Sequence, residues 1–265
     1  MNPDMRDTRL EVLFTPAEFR ALDPERLRAT TCVVFDVLRA TTSMITALAH
    51  GATGILPVAE LPEALSARQH LANALLAGER AGRRIDAAQT GGVEFDFGNS
   101  PREFASERIR GRPMIWTTTN GTRALRSTKG AQRVFAGAFL NLSATAACLR
   151  KLLPASLLLI GSGTYEEAAW EDALAAGGLC DALWDLYGRG QVADSAAMAR
   201  RLFRGAASDL ESALAQGRNG RRLLARPDLA DDVAFAARRD SLPLVAELGA
   251  DGWLRSMVQA TAPGV

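Results

Sequence analysis

Short apolar runs alternate with stretches of helical spacing through the first 160 residues, and this alternation constrains the fold most. The runs are rich in branched residues, as buried strands are. They cover residues 10–14, 32–37, 55–58, 75–77, 114–117, 134–136 and 157–160. Helical patterns lie between them at 41–49, 61–72, 120–127 and 142–152. Such alternation predicts a three-layer α/β/α fold, with a mostly parallel sheet between two layers of helices.

The C-terminal third of the chain has a different pattern, with helical spacing and few strand-like runs. We predict helices there at 168–186, 195–203, 206–215 and 229–238. Residues 82–92 have the weakest pattern and are expected to form a surface loop. No linker is evident, so we predict one domain over 1–265, or two intimately packed lobes, about 1–138 and 139–265. The apolar helical third could bury a homodimer interface or belong to the core.

The composition is that of a globular protein, with 48% hydrophobic and 23% charged residues. A net charge of +1 gives no electrostatic argument for nucleic acid or an anionic membrane as a partner. Cys32, Cys148 and Cys180 are expected to be buried free thiols. The N-terminal segment lacks the apolar core of a signal peptide, and no apolar run is of transmembrane length. These features predict a cytoplasmic protein.

Polar residues of three kinds follow the predicted strands: carboxylates, arginines and hydroxyl or amide side chains. Each taken alone has an ordinary explanation as a helix cap, a turn residue or a surface ion pair. However, the carboxyl ends of parallel strands meet at one edge of a sheet, so these residues are expected to lie together. Carboxylates with arginines and hydroxyls match the needs of a Mg²⁺–phosphate site. The residues are Asp36, Arg39, Thr41, Thr42, Glu79, Arg80, Asn99, Ser100, Thr118, Thr119, Asn120, Gly121, Thr122, Arg123, Glu171 and Asp172.

Several other chemistries lack their motifs. The chain has only 2 histidines, which disfavours a zinc centre or a phosphohistidine. No GxxxxGK[ST] or GxSxG motif occurs, and no cysteine has an arginine six residues later. Asp36 follows a strand as an aspartyl-phosphate nucleophile would, but Leu38 stands where haloacid dehalogenases have a second aspartate.

Five motifs in a fixed order resemble the ComB family, the 2-phosphosulfolactate phosphatases. They are DVLRATT at 36–42, LAGER at 76–80, FDFGNSP at 95–101, TTTNGTR at 117–123 and the pair ED at 171–172. The likeness runs from about residue 10 to about residue 240. It implies an α/β/α fold and Mg²⁺-dependent hydrolysis of (2R)-phospho-3-sulfolactate to 3-sulfolactate and phosphate, a step of coenzyme M biosynthesis. This chain departs from the family pattern at 83–92, which is longer, and at Ser162, where relatives often have alanine after a cysteine.

The resemblance and the residue types together suggest a role for each candidate. We expect Asp36, Glu79, Glu171 and Asp172 to hold Mg²⁺, and Asp36 also to orient or deprotonate the attacking water. Arg39, Arg80 and Arg123 would grip the anionic groups of a small phospho-substrate, with Arg39 and Arg123 acting in catalysis. The hydroxyl, amide and glycine residues would cradle an oxyanion. A covalent phosphoenzyme on Asp36, another small 2-phospho acid as substrate, and a non-catalytic metabolite binder remain alternatives.

Overall fold

One sheet of eleven strands organises residues 7–105 and 107–257, the part of the chain that the computed structural model describes. The strands are β1 (Arg9–Leu13), β2 (Thr31–Phe35), β3 (Gly54–Pro57), β4 (Leu75–Arg80), β5 (Arg83–Arg84), β6 (Pro113–Thr117), β7 (Arg133–Gly137), β8 (Ser156–Gly161), β9 (Gln191–Val192), β10 (Val245–Leu248) and β11 (Leu254–Met257). The helices are α1 (Pro16–Arg20), α2 (Pro24–Leu27), α3 (Ala40–Ala49), α4 (Leu61–His70), α5 (Ala87–Thr90), α6 (Gly121–Ser127), α7 (Leu142–Leu152), α8 (Trp170–Ala182), α9 (Trp184–Tyr187), α10 (Asp194–Ala206), α11 (Leu210–Gln216), α12 (Arg218–Leu224) and α13 (Asp231–Ala236). Short 3-10 helices span Pro101–Ala105, Glu107–Ile109 and Phe139–Asn141.

The predicted α/β fold is confirmed, and all seven predicted strands are present. The sheet is β5-β4-β6-β3-β11-β10-β7-β2-β8-β1-β9 in spatial order, and most pairings within the described ranges are parallel. Strand β2 shows why the sheet is covered on both faces. Val33 and Phe35 pack in the cluster that contains helix α8, whereas Cys32 and Val34 pack in the cluster that contains α3. Alternate residues of a strand point to opposite faces, so a continuously apolar strand needs helices on both.

The hairpin β10–β11 lies in the middle of the sheet and was not predicted. It pairs antiparallel with β7 on one side and with β3 on the other. The parallel group β4-β6-β3 therefore points opposite to the parallel group β7-β2-β8-β1-β9. Charged residues such as Glu247 and Arg255 interrupt the apolar pattern of these short strands. Strands from 1–138 and from 139–265 alternate in this one sheet, while the assignment of domains stays a prediction.

The C-terminal helices differ from the predicted ones in two places. The helix expected at 168–186 is two helices, α8 and α9, because the chain turns at Leu183. Helix α12, whose sequence is RNGRRLL, was not predicted, because arginines and a glycine leave it without an apolar stripe. The expected surface loop at 82–92 contains the short elements β5 and α5 and one fully buried side chain, Ile85.

The three cysteines are free, as predicted. Cys32 and Cys180 are buried, while Cys148 is half-buried. Burial raises the pKa of both buried thiols to about 12, so neither carries a reactive thiolate near neutral pH. Within the described ranges, no helix combines the length and apolar content that a membrane crossing requires.

Gly177 makes the close packing of α8 against α10 possible. A Cβ atom on Gly177 would lie 2.0 Å from the carbonyl oxygen of Ala199 on α10. We therefore expect Gly177→Ala to lower the free energy of unfolding by about 1–3 kcal/mol through overpacking. Gly205→Ala on α10 is the matched control, because no atom lies within 4 Å of the added Cβ. Urea denaturation of both variants checks this, and equal stability of the two would contradict it.

Candidate active site

A cavity of about 330 Å³ lies where several strands end. Its walls come from the exits of β2, β4, β6 and β8, from the segment after α5 and from helix α12. The lining residues are Asp36, Leu38, Arg39, Glu79, Arg80, Ala81, Gly82, Asn99, Thr119, Asn120, Gly163, Thr164, Tyr165, Asn219, Arg222 and Leu223. The strand exits therefore meet, as the sequence predicted, although β4 and β6 belong to the parallel group of opposite direction.

Side-chain hydrogen bonds connect the strand exits to one another. The Asn120 side-chain amide donates to the carbonyl oxygens of Ser162 at 3.3 Å and Gly163 at 2.9 Å, so it joins the β6 exit to the β8 exit. Glu79 Oε1 accepts from the backbone N–H of Thr119 at 2.9 Å and from its hydroxyl at 3.0 Å. These bonds fix the positions of the exits that carry the candidate site.

Asp36 is the carboxylate at the exit of β2. Its Oδ1 accepts a hydrogen bond from the backbone N–H of Ala40 at 3.1 Å. Burial raises the pKa of Asp36 to about 6, and the negative charges of Glu79 and Glu171 add to this effect. Gly121 packs against this carboxylate, since a Cβ atom there would lie 2.4 Å from Asp36 Oδ2. The absence of a side chain at Gly121 therefore leaves room for the Asp36 carboxylate, and Gly121 does not itself line the cavity.

Glu171 and Asp172 are buried side by side at the start of α8. Glu171 Oε1 accepts from the Asn219 amide at 2.6 Å, whereas its buried Oε2 has no hydrogen-bond partner. Asp172 is bonded by protein donors on both oxygens: the Val37 N–H at 2.8 Å, the Ser162 hydroxyl at 3.1 Å and the Gly163 N–H at 3.2 Å. Burial raises the pKa of both carboxyl groups, and the neighbouring negative charges raise that of Asp172 further.

The residues present fit a Mg²⁺ ion that retains water ligands. No group of three or more His, Cys, Asp or Glu side chains in residues 7–105 and 107–257 is placed to hold an ion by itself. Mg²⁺ does not require such a cage, because it binds through one or two carboxylates, several waters and substrate phosphates. The unpartnered Glu171 Oε2 and the carboxylate of Asp36 are hard oxygen donors of that kind. Asp172 accepts hydrogen bonds from the β2 and β8 exits on both of its oxygens, and its role as a metal ligand stays a prediction.

The three arginines expected to grip the substrate lie in different environments. Arg39 is buried and forms an ion pair with Asp232 at 3.0 Å. Arg80 lines the cavity and donates to the Glu79 carbonyl at 2.8 Å and the Thr117 hydroxyl at 2.9 Å. Arg123 lies outside the cavity. Its guanidinium is 55% exposed and pairs with Glu60 at 2.8 Å, because helix α6 directs it toward the start of α4.

Most of the predicted hydroxyl groups form hydrogen bonds within the protein and lie outside the cavity. Thr118 and Thr122 are buried and cap each other's backbone N–H groups at 3.2 Å. The Thr42 hydroxyl donates to the Val37 carbonyl, and the Thr41 hydroxyl accepts from the Asp36 N–H. Ser100 also lies outside, where its hydroxyl donates to Asp232 at 2.6 Å. Among the predicted polar side chains, Thr119, Asn120 and Asn99 do line the cavity, and the buried Asn99 Oδ1 has no partner.

The C-terminal third and the β8 exit contribute residues that were not predicted from the sequence. Helix α12 brings Asn219 and Arg222 to the cavity, and Tyr165 follows β8 with a positive φ of 57°. Asp232 of α13 is fully buried and binds Arg39 and Arg102. Spacing gave no signal for Asn219, Arg222 and Asp232, since no strand directly precedes α12 or α13.

Comparison with known proteins places the chain in one family. The family model described as 2-phosphosulpholactate phosphatase matches residues 18–251. A protein of Symbiobacterium thermophilum named "Probable 2-phosphosulfolactate phosphatase" is 34% identical over 226 residues, which is 83% of this chain and 92% of the relative. A protein of the same name from Synechococcus sp. (strain JA-3-3Ab) is 37% identical over 219 residues, 80% of this chain and 86% of the relative. The ordered motifs, the cavity at the strand exits and these matches agree: the chain belongs to the 2-phosphosulpholactate phosphatase family.

Proposed function

We propose that this protein is a Mg²⁺-dependent phosphatase that hydrolyses (2R)-phospho-3-sulfolactate to 3-sulfolactate and phosphate. The observation that carries the proposal is the pairing of charges at one cavity. Asp36 and Arg80 line the cavity, and Glu171 lies behind it, bonded to the lining residue Asn219. Within the described residues, neither Asp36 nor Glu171 has a cationic partner in hydrogen-bond contact, and Arg80 bonds only to neutral oxygens. Carboxylates suit a divalent cation, while a free guanidinium suits a phosphate or sulfonate oxygen. The names of the relatives support this substrate.

The residues of the chain have separable roles in this reaction. Asp36 and Glu171 would hold Mg²⁺, which when bound neutralises charge on the phosphoryl oxygens. Asp36 also orients the attacking water and accepts its proton. Arg80 and the amide of Asn99 bind oxyanions of the substrate, and Arg39 holds one wall through its bond to the Gly82 carbonyl. Catalysis would come from positioning and charge stabilisation.

Removal of the metal tests the cofactor directly. We expect the purified protein to release phosphate from phosphosulfolactate when Mg²⁺ is present and to lose this activity in EDTA, because without the cation the negative charges of Asp36 and Glu171 repel the charged phosphoryl group. Excess Mg²⁺ added back should restore the rate, which controls for damage by the chelator. Full activity in EDTA would contradict the Mg²⁺ requirement, and no turnover in either condition would contradict the proposed substrate.

A further inference from the structure

Arg222 of helix α12 is a cavity residue to which no role is assigned by the motifs of the family resemblance. We propose that Arg222 binds the anionic group of the substrate that is not transferred, the sulfonate or the carboxylate, and so determines specificity for multiply charged phospho acids. This inference rests on the proposed function, because it names the part of the same substrate that Arg222 recognises.

Arg222 spans the rim of the cavity between two of its walls. Its Nη1 donates to the Tyr165 hydroxyl at 3.2 Å, and its Nη2 donates to the carbonyl oxygen of Ala81 at 3.3 Å. Both acceptors are neutral, and a guanidinium has more N–H donors than these two bonds use. The side chain is therefore held in place while its charge and its remaining donors stay available to a ligand.

Of the arginines at 218, 221, 222 and 226, Arg222 is the one that lines the cavity, and the adjacent Arg221 donates instead to the Gln216 carbonyl. Arg218 forms an ion pair with Glu167, and Arg226 forms one with Asp228 at 2.9 Å. Neither of them lines the cavity. Within residues 7–105 and 107–257, no carboxylate lies within the 4.0 Å ion-pair distance of Arg222. An arginine without a counter-ion at a cavity rim is suited to an anionic ligand.

Arg222 reaches the cavity from a different element than the groups that would handle the phosphate. Asp36 lies at the exit of β2, and Arg80 lies between β4 and β6, where it donates to Thr117. Arg222 comes from helix α12, one turn after Asn219, which holds Glu171, and it reaches the carbonyl of Ala81, the residue after Arg80. A substrate whose phosphate faces the carboxylates and the metal would thus present its other acidic groups to Arg222. The sequence had suggested Arg39, Arg80 and Arg123 together for binding the anionic groups.

Charge removal at Arg222 tests the inference, with Arg226→Gln as the matched control. Arg226 donates to the carbonyl of Gly82, the residue after Ala81, so both variants lose one charge and one contact with the same turn. The substrates are phosphosulfolactate and glycerol 2-phosphate, in which neutral hydroxymethyl groups replace the carboxylate and the sulfomethyl group. We expect Arg222→Gln to lower kcat/KM for phosphosulfolactate by about 10–100-fold, chiefly through KM, as for a lost charged hydrogen bond. Turnover of glycerol 2-phosphate should be unchanged, and Arg226→Gln should resemble the wild type.

Two further measurements complete the design. 2-Phospholactate, which keeps the carboxylate but lacks the sulfonate, distinguishes the two anions: a matching loss assigns Arg222 to the carboxylate, and no loss assigns it to the sulfonate. Calorimetric binding of 3-sulfolactate to the wild type and to Arg222→Gln gives a readout that needs no turnover. Thermal unfolding confirms that the variants are folded, and Arg222→Lys should recover part of the lost affinity.

The outcomes separate this inference from the proposed function. Equal losses with phosphosulfolactate and glycerol 2-phosphate, or equal effects of Arg222→Gln and Arg226→Gln, would overturn the role of Arg222 and leave the phosphatase activity standing. A wild type that binds 3-sulfolactate through Arg222 but releases no phosphate would overturn the proposed reaction only. A wild type with neither turnover nor binding would overturn both.

Discussion

Asp36→Asn is expected to lower kcat for phosphate release by about 10²–10³-fold or more, because it removes charge stabilisation at the centre of the site. The asparagine retains an oxygen that can accept from the Ala40 N–H, so the β2 exit should keep its shape. It lacks the negative charge that holds a divalent cation and the basicity that accepts a proton from water. Steady-state kinetics at saturating Mg²⁺ measure the effect. Near-wild-type turnover would reject the placement of the chemistry at Asp36.

The same substitution should stabilise the metal-free protein at neutral and alkaline pH. Burial raises the folded-state pKa of Asp36 to about 6, above its unfolded value, so the folded state binds this proton more tightly. The stability from that proton is fully present below the unfolded pKa and is lost as the pH rises through about 6. An asparagine cannot ionise, and it should add about 1–3 kcal/mol to the free energy of unfolding at pH 8.

Chemical denaturation in EDTA at pH 4 and pH 8 measures this gain. The gain should be small at pH 4, where most of the wild-type Asp36 is protonated in the folded protein, and this comparison serves as the internal control. A loss of stability at pH 8 would show that the Asp36 charge is compensated within the protein. Lower activity together with higher stability is the pattern expected of a functional carboxylate.

Asp232→Ala is the other substitution with a large expected effect, and it acts on stability. Asp232 is fully buried and accepts from Arg39 at 3.0 Å, Arg102 at 2.9 Å and Ser100 at 2.6 Å. Its removal leaves the buried Arg39 charge uncompensated, which should lower the free energy of unfolding by about 3–5 kcal/mol. Because Arg39 also lines the cavity, activity should fall even below the unfolding temperature.

The neighbouring Asp231 offers the matched control. It pairs with the same Arg102 at 3.3 Å, but its side chain is 78% exposed. Asp231→Ala should therefore change the stability by at most about 1 kcal/mol, as exposed ion pairs do. Urea denaturation of both variants gives the comparison, and similar stabilities would show that the buried carboxylate is dispensable.

The strands could be predicted where the pattern of apolar residues lies within one short segment of the chain. The strand at Thr31–Phe35 has an unbroken apolar sequence that only a doubly covered strand would have, and it was found within two residues. The hairpin of β10 and β11 could not be found this way, because its two strands are short and contain both apolar and charged residues. Its place in the sheet depends on β3 and β7, whose edges it covers. Such long-range pairing leaves no periodicity in the sequence.

The location of the site in the fold could be predicted from the sequence, but the contacts of its individual side chains could not. The strand-exit rule located Asp36, Glu79 and Asn120 correctly beside the cavity. It could not tell Thr119, whose hydroxyl bonds to Glu79, from Thr118, whose hydroxyl caps α6. Neighbouring residues in an extended segment point to opposite sides, so one enters the cavity while the other packs inward.

The central position of β10 and β11 determines when the sheet can be completed during protein synthesis. Leu254 of β11 pairs with Ile55 of β3, about 200 residues earlier in the chain, a separation of the kind that slows folding. Until residues 245–257 have been synthesised, β3 and β7 each expose an unpaired central edge. The nascent chain is then open to aggregation through these edges. The final step of folding is expected to be the insertion of this hairpin, which joins the two halves of the sheet.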